Sequence, residues 1–250
     1  MGVYKVVFRK ENESNGLAPL EWEPSCPLAV EAVQVSRHRE NRDSFLQIKL
    51  RNLTGEMVLA FELVATCEYD DGSIETVEME IPDADIGAGR EFGPKAVKLS
   101  RYDVKGAEAR LLSVLTPKSK WETEGKIEKA PHCSDLLALD EEATEERLIR
   151  LKEEGMPQSY VAAALRRPCT EGDGWAECSC GQLNVGRRTC LRCGCSFSAL
   201  KKLEDESFLK KMHSEREEAE HTKVATVIVL AVTIVLLLFL AVFLIPAFYG

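Results

Sequence analysis

A long apolar run near the C-terminus constrains this chain more than any other feature. From Val224 to Ile245 the sequence has no charged residue, and Thr226 and Thr233 are its only polar side chains. At about 1.5 Å per residue, a helix of this length spans roughly 33 Å, enough to cross the hydrocarbon core of a bilayer. A buried helix of a soluble protein seldom extends past about 14 residues without a polar stripe. The run therefore predicts one transmembrane helix, 224–245.

Basic residues flank this run on one side only. The N-terminal segment 1–9 has no basic region followed by an apolar stretch, so we expect no secretory signal there. Only Pro-Ala-Phe-Tyr-Gly follows the run, whereas six basic residues precede it: Lys201, Lys202, Lys210, Lys211, Arg216 and Lys223. The positive-inside rule then predicts a single-pass membrane protein with a cytosolic N-terminal body and its C-terminus on the far side.

The charge balance bears on the partners of that body. Charged residues make up 29% of the chain, and the net charge is -9. This composition is typical of a soluble body, and it lacks the diffuse basic surface of a non-specific nucleic-acid binder. A nucleic-acid partner is therefore not favoured, except through a local patch.

The first half of the chain has the period of β-strands. In the segment 57–69, apolar side chains from Met57 to Tyr69 alternate with polar ones such as Glu62 and Glu68. The turn signal Asp-Asp-Gly-Ser follows, and then Val77, Met79 and Ile81 alternate with glutamates. Further candidate strands are 4–9, 30–37, 45–52, 96–100 and 109–115. We expect residues 1–121 to form an antiparallel immunoglobulin-like β-sandwich, with a barrel as the open alternative.

Charge-rich helices are expected after this domain. Residues 144–154 and 157–167 predict two short helices within a helical linker, 122–170. The glutamates between Glu141 and Glu154 are interpreted as a solvated face. Residues 198–223 predict a charged juxtamembrane helix that continues into the membrane helix.

Five of the nine cysteines lie between Cys178 and Cys195. Two close pairs let two tight turns present thiolates to one ion, as in tetrahedral zinc sites. Glycine follows the second cysteine of each pair, Gly181 and Gly194, where the chain must turn back. We predict a structural Zn²⁺ ribbon over 171–197 with no open coordination position, held by Cys178, Cys180, Cys190 and Cys193.

Three alternatives to this ligand set remain open. Cys195 could replace Cys190, which would mirror the short first pair. Two disulfides are disfavoured because the cytosol keeps thiols reduced. A redox dithiol at Cys190 and Cys193 has suitable spacing, but it lacks the strand-helix context of thioredoxin-like sites.

The same segment resembles a known class of zinc module. Trp175, the two cysteine pairs, Gly181, Asn184 and Gly194 are similar to the Ran-binding-protein type of zinc finger. That resemblance implies single-stranded RNA binding. Such binding needs stacking and local positive charge, and the candidate contact surface for it consists of Trp175, Asn184, Arg187, Arg188 and Arg192. The order of β-sandwich, linker, ribbon and membrane helix also resembles a set of bacterial single-pass zinc-ribbon membrane proteins, and this likeness implies no activity.

No residue pattern assembles an active site. Four histidines are scattered along the chain, and we interpret them as solvated surface residues: His38, His132, His213 and His221. We interpret the four remaining cysteines as buried apolar residues or free thiols: Cys26, Cys67, Cys133 and Cys169. The sequence has neither a phosphate-binding glycine loop nor a serine nucleophile elbow. We therefore expect no enzyme and no small-molecule substrate. The leading hypothesis is a membrane-anchored zinc-binding adaptor or regulator whose β-sandwich binds a protein, and the alternative is a membrane-localised RNA binder.

Overall fold

A computed structural model describes residues 3–11, 22–23, 25–125 and 136–249, with side chains up to Phe239. The described chain is mainly antiparallel β-structure with a few helices and a C-terminal apolar helix. His132 and Cys133 lie outside the described residues.

Two antiparallel sheets form the N-terminal half. The first sheet contains β1 (Tyr4–Glu11), β2 (Leu28–His38) and β3 (Ser44–Asn52), and the short strands β6 (Glu91–Phe92) and β7 (Val97–Lys98) both pair with β3. The second sheet has the order β5 (Ile74–Ile81), β4 (Ala60–Tyr69), β8 (Val104–Leu115) and β9 (Lys120–Glu122). We call β1 to β9 the β body.

Residues of both sheets share one hydrophobic core. Val33 and Ile48 of the first sheet belong to the same buried cluster as Leu63 and Val114 of the second. The rings of Phe61 and Phe92, from different sheets, meet edge to face with their centroids 5.9 Å apart. The two sheets are therefore held together by ordinary apolar burial.

The predicted alternation is confirmed in β4. Every second residue from Phe61 to Tyr69 is buried, and Gly72 closes the turn to β5 with a φ of 81°. The other predicted strands are confirmed with shifted ends, most clearly β8, which begins at Val104 rather than at residue 109. The strands β6 and β9 were not predicted, because two or three residues are too few to show a period.

A second hydrophobic cluster contains the helices and the cysteines. It contains residues of α1 (Glu141–Glu153), α2 (Gln158–Ala164), α3 (Phe197–Lys202) and the start of α4 (Glu206–Tyr249). Beside them lies a three-stranded sheet of β10 (Thr170–Gly172), β11 (Trp175–Glu177) and β12 (Leu183–Val185), from which Ala176 of β11 joins this cluster. We call residues 170–202, from β10 to α3, the cysteine module. The predicted linker is thus folded against this module through buried side chains such as Leu151 and Val161.

The interpretation of the glutamates of α1 as a solvated face is wrong at Glu146. Glu146 and the adjacent Arg147 are both 0% exposed. Arg147 donates hydrogen bonds to the carbonyl oxygens of Ala164, Arg167 and Leu203. Its guanidinium therefore satisfies carbonyl groups at the ends of α2 and α3.

Helix α4 is the one helix in the described part of the chain that is long and apolar enough to cross a membrane. Its side chains from Val224 to Phe239 are exposed, as expected for a surface that meets lipid. This is consistent with a single-pass membrane protein.

The predicted unbroken helix from residue 198 is wrong. Helix α3 ends at Lys202, and α4 begins as a new helix at Glu206. The Asp205 carboxylate caps α4 by accepting from the backbone N–H groups of Ser207 and Phe208.

Candidate metal centre

Two tight turns carry the four predicted metal ligands. Cys178 and Cys180 lie between β11 and β12, where the N–H of Gly181 donates to the Cys178 carbonyl at 2.7 Å. In the second turn, the N–H of Gly194 donates to the Cys190 carbonyl at 3.0 Å. Both glycines have positive φ, 87° and 78°. They therefore adopt the backbone conformation for which glycine was expected after each pair.

The four thiols converge on one point. The Sγ atoms of Cys178, Cys180, Cys190 and Cys193 all lie within 4.8 Å of one another, and all four residues are buried. The Sγ–Sγ distance is 3.5 Å between Cys178 and Cys193 and 3.6 Å between Cys180 and Cys190. A tetrahedral site with metal–sulfur bonds of about 2.3 Å has sulfur–sulfur separations of about 3.8 Å, whereas a disulfide requires about 2.05 Å. The cluster fits one four-coordinate ion, and these cysteines are free thiols.

The thiols perturb one another's ionisation. Hydrogen bonds from Cys178 and Cys180 hold the pKa of Cys193 well below its usual range. Hydrogen bonds with Cys180 and Cys190 raise the pKa of Cys178 far above its usual range. Four thiols this close cannot all become thiolates without a compensating cation, so metal binding here would release protons.

Backbone and amide groups support the sulfur atoms. The backbone N–H of Arg192 donates to Cys190 Sγ at 3.4 Å. The amide of Asn184 lies 3.8 Å from the same sulfur, donates to the Gln182 carbonyl at 2.8 Å and accepts from the Leu191 N–H at 2.9 Å. Asn184 thereby connects the first cysteine turn to the second.

Cys195 lies beside the cluster but outside the group of four. Its thiol is directed toward the carbonyl oxygens of Glu154 and Cys193, each at 3.9 Å. Burial, with the nearby Cys193, raises the pKa of Cys195 to about 12. The geometry therefore favours Cys190 over Cys195 as the fourth ligand.

The residues of the predicted contact surface do not form one surface. Asn184 is 1% exposed and faces inward, which corrects its assignment to that surface. Trp175 packs edge to face on Trp22 at 5.9 Å, and the Arg192 guanidinium lies 4.3 Å from the centre of the Tyr160 ring. Arg187 and Arg188 are exposed.

The cysteine module docks on the β body, a contact that the sequence did not predict. The side chains of Leu183 and Val185 in β12 belong to the core of the β body. The backbone N–H of Val185 donates to the Leu53 carbonyl at 3.0 Å. A Cβ atom added to Gly89 would lie 3.4 Å from the Leu191 side chain, so Leu191 packs directly beside this glycine. The hairpin that carries the first two cysteines is therefore part of both hydrophobic clusters.

The remaining histidines and cysteines differ in their surroundings. His221 is exposed as predicted, but His213 is only 13% exposed at its side chain and contacts Glu146, Arg216 and Glu217, so its prediction as solvated is wrong. The His38 ring nitrogen accepts from the N–H of Glu40 and Asn41 in the turn after β2. The prediction of buried thiols is confirmed for Cys26, Cys67 and Cys169.

The fold and the site together define a mainly β protein with a buried four-cysteine cluster and one helix able to cross a membrane. No family model, curated protein or solved structure matches this chain.

Proposed function

We propose that the protein is a membrane-anchored zinc-binding adaptor whose cytosolic β body binds a protein partner. The observation that carries this proposal is the position of the four-cysteine cluster between the β body and the membrane helix. On one side, Leu183 and Val185 enter the core of the β body. On the other, the cysteines share a cluster with Leu200 of α3 and Leu209 of α4. The cluster thus joins the two parts of the chain that an adaptor must hold together.

Zinc is the metal that suits this donor set. Four thiolates in a closed tetrahedral arrangement are the usual ligands of structural zinc, and the set leaves no position for a substrate or water. Metal binding at such a centre contributes to the folding free energy of the chain, and the ion has no catalytic role. We interpret the cysteine module accordingly as a zinc ribbon.

The β body suits a binding role. We interpret its two sheets as an immunoglobulin-like β-sandwich, a fold whose end loops often carry binding residues on a rigid scaffold. In the proposed topology this body lies in the cytosol, as the basic residues before the membrane helix predict. In sealed membranes whose cytosolic face alone is exposed to added protease, the β body should be digested and a tag placed after Gly250 should be protected; digestion of that tag would contradict the orientation.

The metal assignment is tested by two cysteine substitutions in the full chain. Cys193→Ala should remove bound zinc or weaken its binding strongly, because it deletes one of four ligands. Cys195→Ala should keep one zinc per chain, because this thiol lies outside the group of four converging thiols. Native mass spectrometry and zinc analysis measure both, with Cys169→Ala as a matched buried-thiol control. Zinc loss in Cys195→Ala together with retention in Cys193→Ala would contradict the ligand set.

The adaptor role is tested by photo-crosslinking in intact membranes. A photoreactive residue is placed at exposed positions of the β body, and the same residue at Arg188 serves as the control. We expect a discrete protein partner to be cross-linked from the β body and not from the cysteine module. Absence of any protein adduct from the β-body positions would contradict the proposed function.

The competing proposal is single-stranded RNA binding through the cysteine module. It has the exposed Arg187 and Arg188 in its favour, since local positive charge steers RNA. Against it, Trp175, the aromatic residue expected to stack on bases, packs on Trp22. Salt-sensitive RNA affinity that is lost in the double variant R187A/R188A would support this alternative over the adaptor.

A further inference from the structure

One end of the β body presents a tyrosine between two arginines. The end lies at the turn between β2 and β3, whereas the cysteine module contacts the opposite end of β3 through Leu53. Tyr102 is 47% exposed there. The guanidinium carbons of Arg37 and Arg42 lie 5.3 and 5.6 Å from the centre of its ring. Tyrosine and arginine are the residues that most often dominate protein interfaces.

Other charged residues at this end form ion pairs with one another. Arg101 forms ion pairs with Asp71 and Asp103, so this group has one negative charge in excess. Lys98 pairs with Asp43 at 2.9 Å, and that pair is neutral. The basic groups of both sets are therefore already occupied by carboxylates of the chain.

Two exposed arginines at the same end are different. Arg39 and Arg42 are exposed, and in the described part of the chain neither forms an ion pair. Arg37 donates to the Tyr102 carbonyl, and its Nε atom is buried with no hydrogen-bond partner among the described residues. This turn therefore has three arginines against the exposed carboxylate of Glu40 and the Asp43 carboxylate that pairs with Lys98, a local excess of positive charge on a chain whose net charge is -9.

The turn that presents these arginines is fixed in place. Arg42 has a φ of 61°, a conformation that non-glycine residues seldom adopt. Neighbouring bonds hold it there: the Asp43 N–H donates to the Asn41 side chain at 3.0 Å, and the His38 N–H donates to the Asp43 carbonyl at 2.8 Å. A turn that is ordered before binding loses less entropy when it binds.

We propose that Arg37, Arg39, Arg42 and Tyr102 form the site at which the β body binds an acidic linear segment of a partner protein. This inference rests on the proposed adaptor function and names the surface that performs it. Carboxylates match the planar fork of a guanidinium, and the tyrosine ring offers apolar area beside them. We call these four residues the arginine end.

Its distance from the membrane helix favours a protein segment over lipid headgroups. Strand β2 has 11 residues and runs from the end nearer the cysteine module to the arginine end. At about 3.3 Å per residue, the two ends lie roughly 35 Å apart. The arginine end is thus on the part of the β body remote from the module that leads into α4.

The inference is tested with the full chain in nanodiscs of uncharged lipid. The probe is a short glutamate-rich peptide with a fluorescent label, and a lysine-rich peptide of equal length is the control. The wild-type chain should bind the acidic peptide, and binding should weaken as salt is raised. The double variant R39E/R42E should bind about ten-fold more weakly, because both attractions become repulsions. The affinity of R39A/R42A for the acidic peptide should lie between those of the wild type and R39E/R42E.

The matched control variant is Arg110→Glu, since Arg110 is an exposed arginine on β8 of the other sheet. It should leave the peptide affinity nearly unchanged, and zinc content should be equal in all variants. An equal loss in Arg110→Glu would overturn the inference. So would binding of anionic vesicles or single-stranded RNA that depends on Arg39 and Arg42 while the acidic peptide does not bind.

Cross-linking in membranes separates this inference from the adaptor role. If R39E/R42E loses the partner that the wild-type β body cross-links, the arginine end is supported. If the variant keeps that partner at wild-type yield, the arginine end is wrong, although the adaptor function stands. Absence of a partner in both chains would contradict the adaptor function on which this inference rests.

Discussion

A single buried amide organises the cysteine turns. Asn184 lies between the two pairs in sequence, and its side chain bonds to backbone groups of both turns. A buried polar group is tolerated only where its hydrogen bonds are made, and this residue makes them within the module. Its role here is to position cysteines, not to contact a ligand.

Asn184→Ala should therefore destabilise the module. The substitution leaves the Leu191 N–H without its partner, which costs about 1–3 kcal/mol, whereas the Gln182 carbonyl keeps the Cys178 N–H. We expect a lower unfolding midpoint and faster loss of zinc to a chelator. Arg188→Ala is the control, because an exposed side chain should change the stability by less than about 0.5 kcal/mol. Equal effects of the two substitutions would mean that Asn184 has no positioning role.

The residue types of the metal cluster could be predicted from spacing, but their surroundings could not. Paired cysteines followed by glycine have few other structural uses, so Cys178 and Cys193 were readily assigned. The direction of a side chain such as Asn184 depends on which backbone groups the fold brings near it. Its sequence neighbours Leu183 and Val185 give no sign that the amide turns inward.

At the scale of elements, the contact between α1 and α4 positions the first turns of α4. The Glu146 carboxylate of α1 accepts from Arg150 at 2.7 Å and from Arg216 of α4 at 2.9 Å. His213 lies 3.9 Å away on the same side of α4. A buried carboxylate shared by two helices is stabilising only while both arginines remain in place.

Glu146→Ala should loosen the first turns of α4 from α1. The change removes two charge-assisted hydrogen bonds, and because the arginines are partly exposed and can be rehydrated we expect a loss of about 1.5–3 kcal/mol in stability. Hydrogen exchange should accelerate in residues 206–217 and remain unchanged in the β body.

Glu145→Ala is a matched control for this prediction. Glu145 is the adjacent glutamate, its side chain is 59% exposed, and it lies 3.8 Å from Arg216. We expect almost no change in stability or exchange, since exposed ion pairs contribute little. If Glu145→Ala lowered the stability and accelerated hydrogen exchange as much as Glu146→Ala, then the negative charge of α1 as a whole, and not the buried contact of Glu146, would position α4.

Periodicity explains which elements could be predicted. Strand β4 alternates buried and exposed residues because one face meets the core, and that pattern is visible in the sequence. Helices α1 and α2 were also found by pattern, but the burial of Glu146 and Arg147 was not. Charged residues are rarely fully buried, and these two are buried because carbonyl groups and charges from α2, α3 and α4 meet them.

At the scale of the whole molecule, the cysteine module is shared between two hydrophobic clusters. The sequence suggested separate units joined by a linker, since nothing in a three-residue strand shows that it will join a distant core. The hydrogen bond from Val185 to Leu53 and the packing of Trp175 on Trp22 connect the module to the β body. Substitutions of the cysteines should therefore weaken the contacts between the cysteine module and the β body as well as metal binding.

Removing a bound metal should uncouple the β body from α4. Without an ion, four crowded thiols lose the cation that fixes both turns, and metal binding supplies much of the folding energy of small zinc modules. We expect exchange of the Val185 amide to accelerate at least about ten-fold after chelation, because its bond to Leu53 depends on the hairpin.

The Val64 amide, in the centre of β4, serves as an internal control and should stay protected. Tryptophan fluorescence should change as well, because Trp175 is expected to move away from Trp22. The variant Cys195→Ala, which should keep its metal, is expected to behave as the wild type does before chelation. Unchanged protection of Val185 in metal-free protein would show that the β body holds the hairpin without the ion, and the metal would then have no part in joining the β body to the helix.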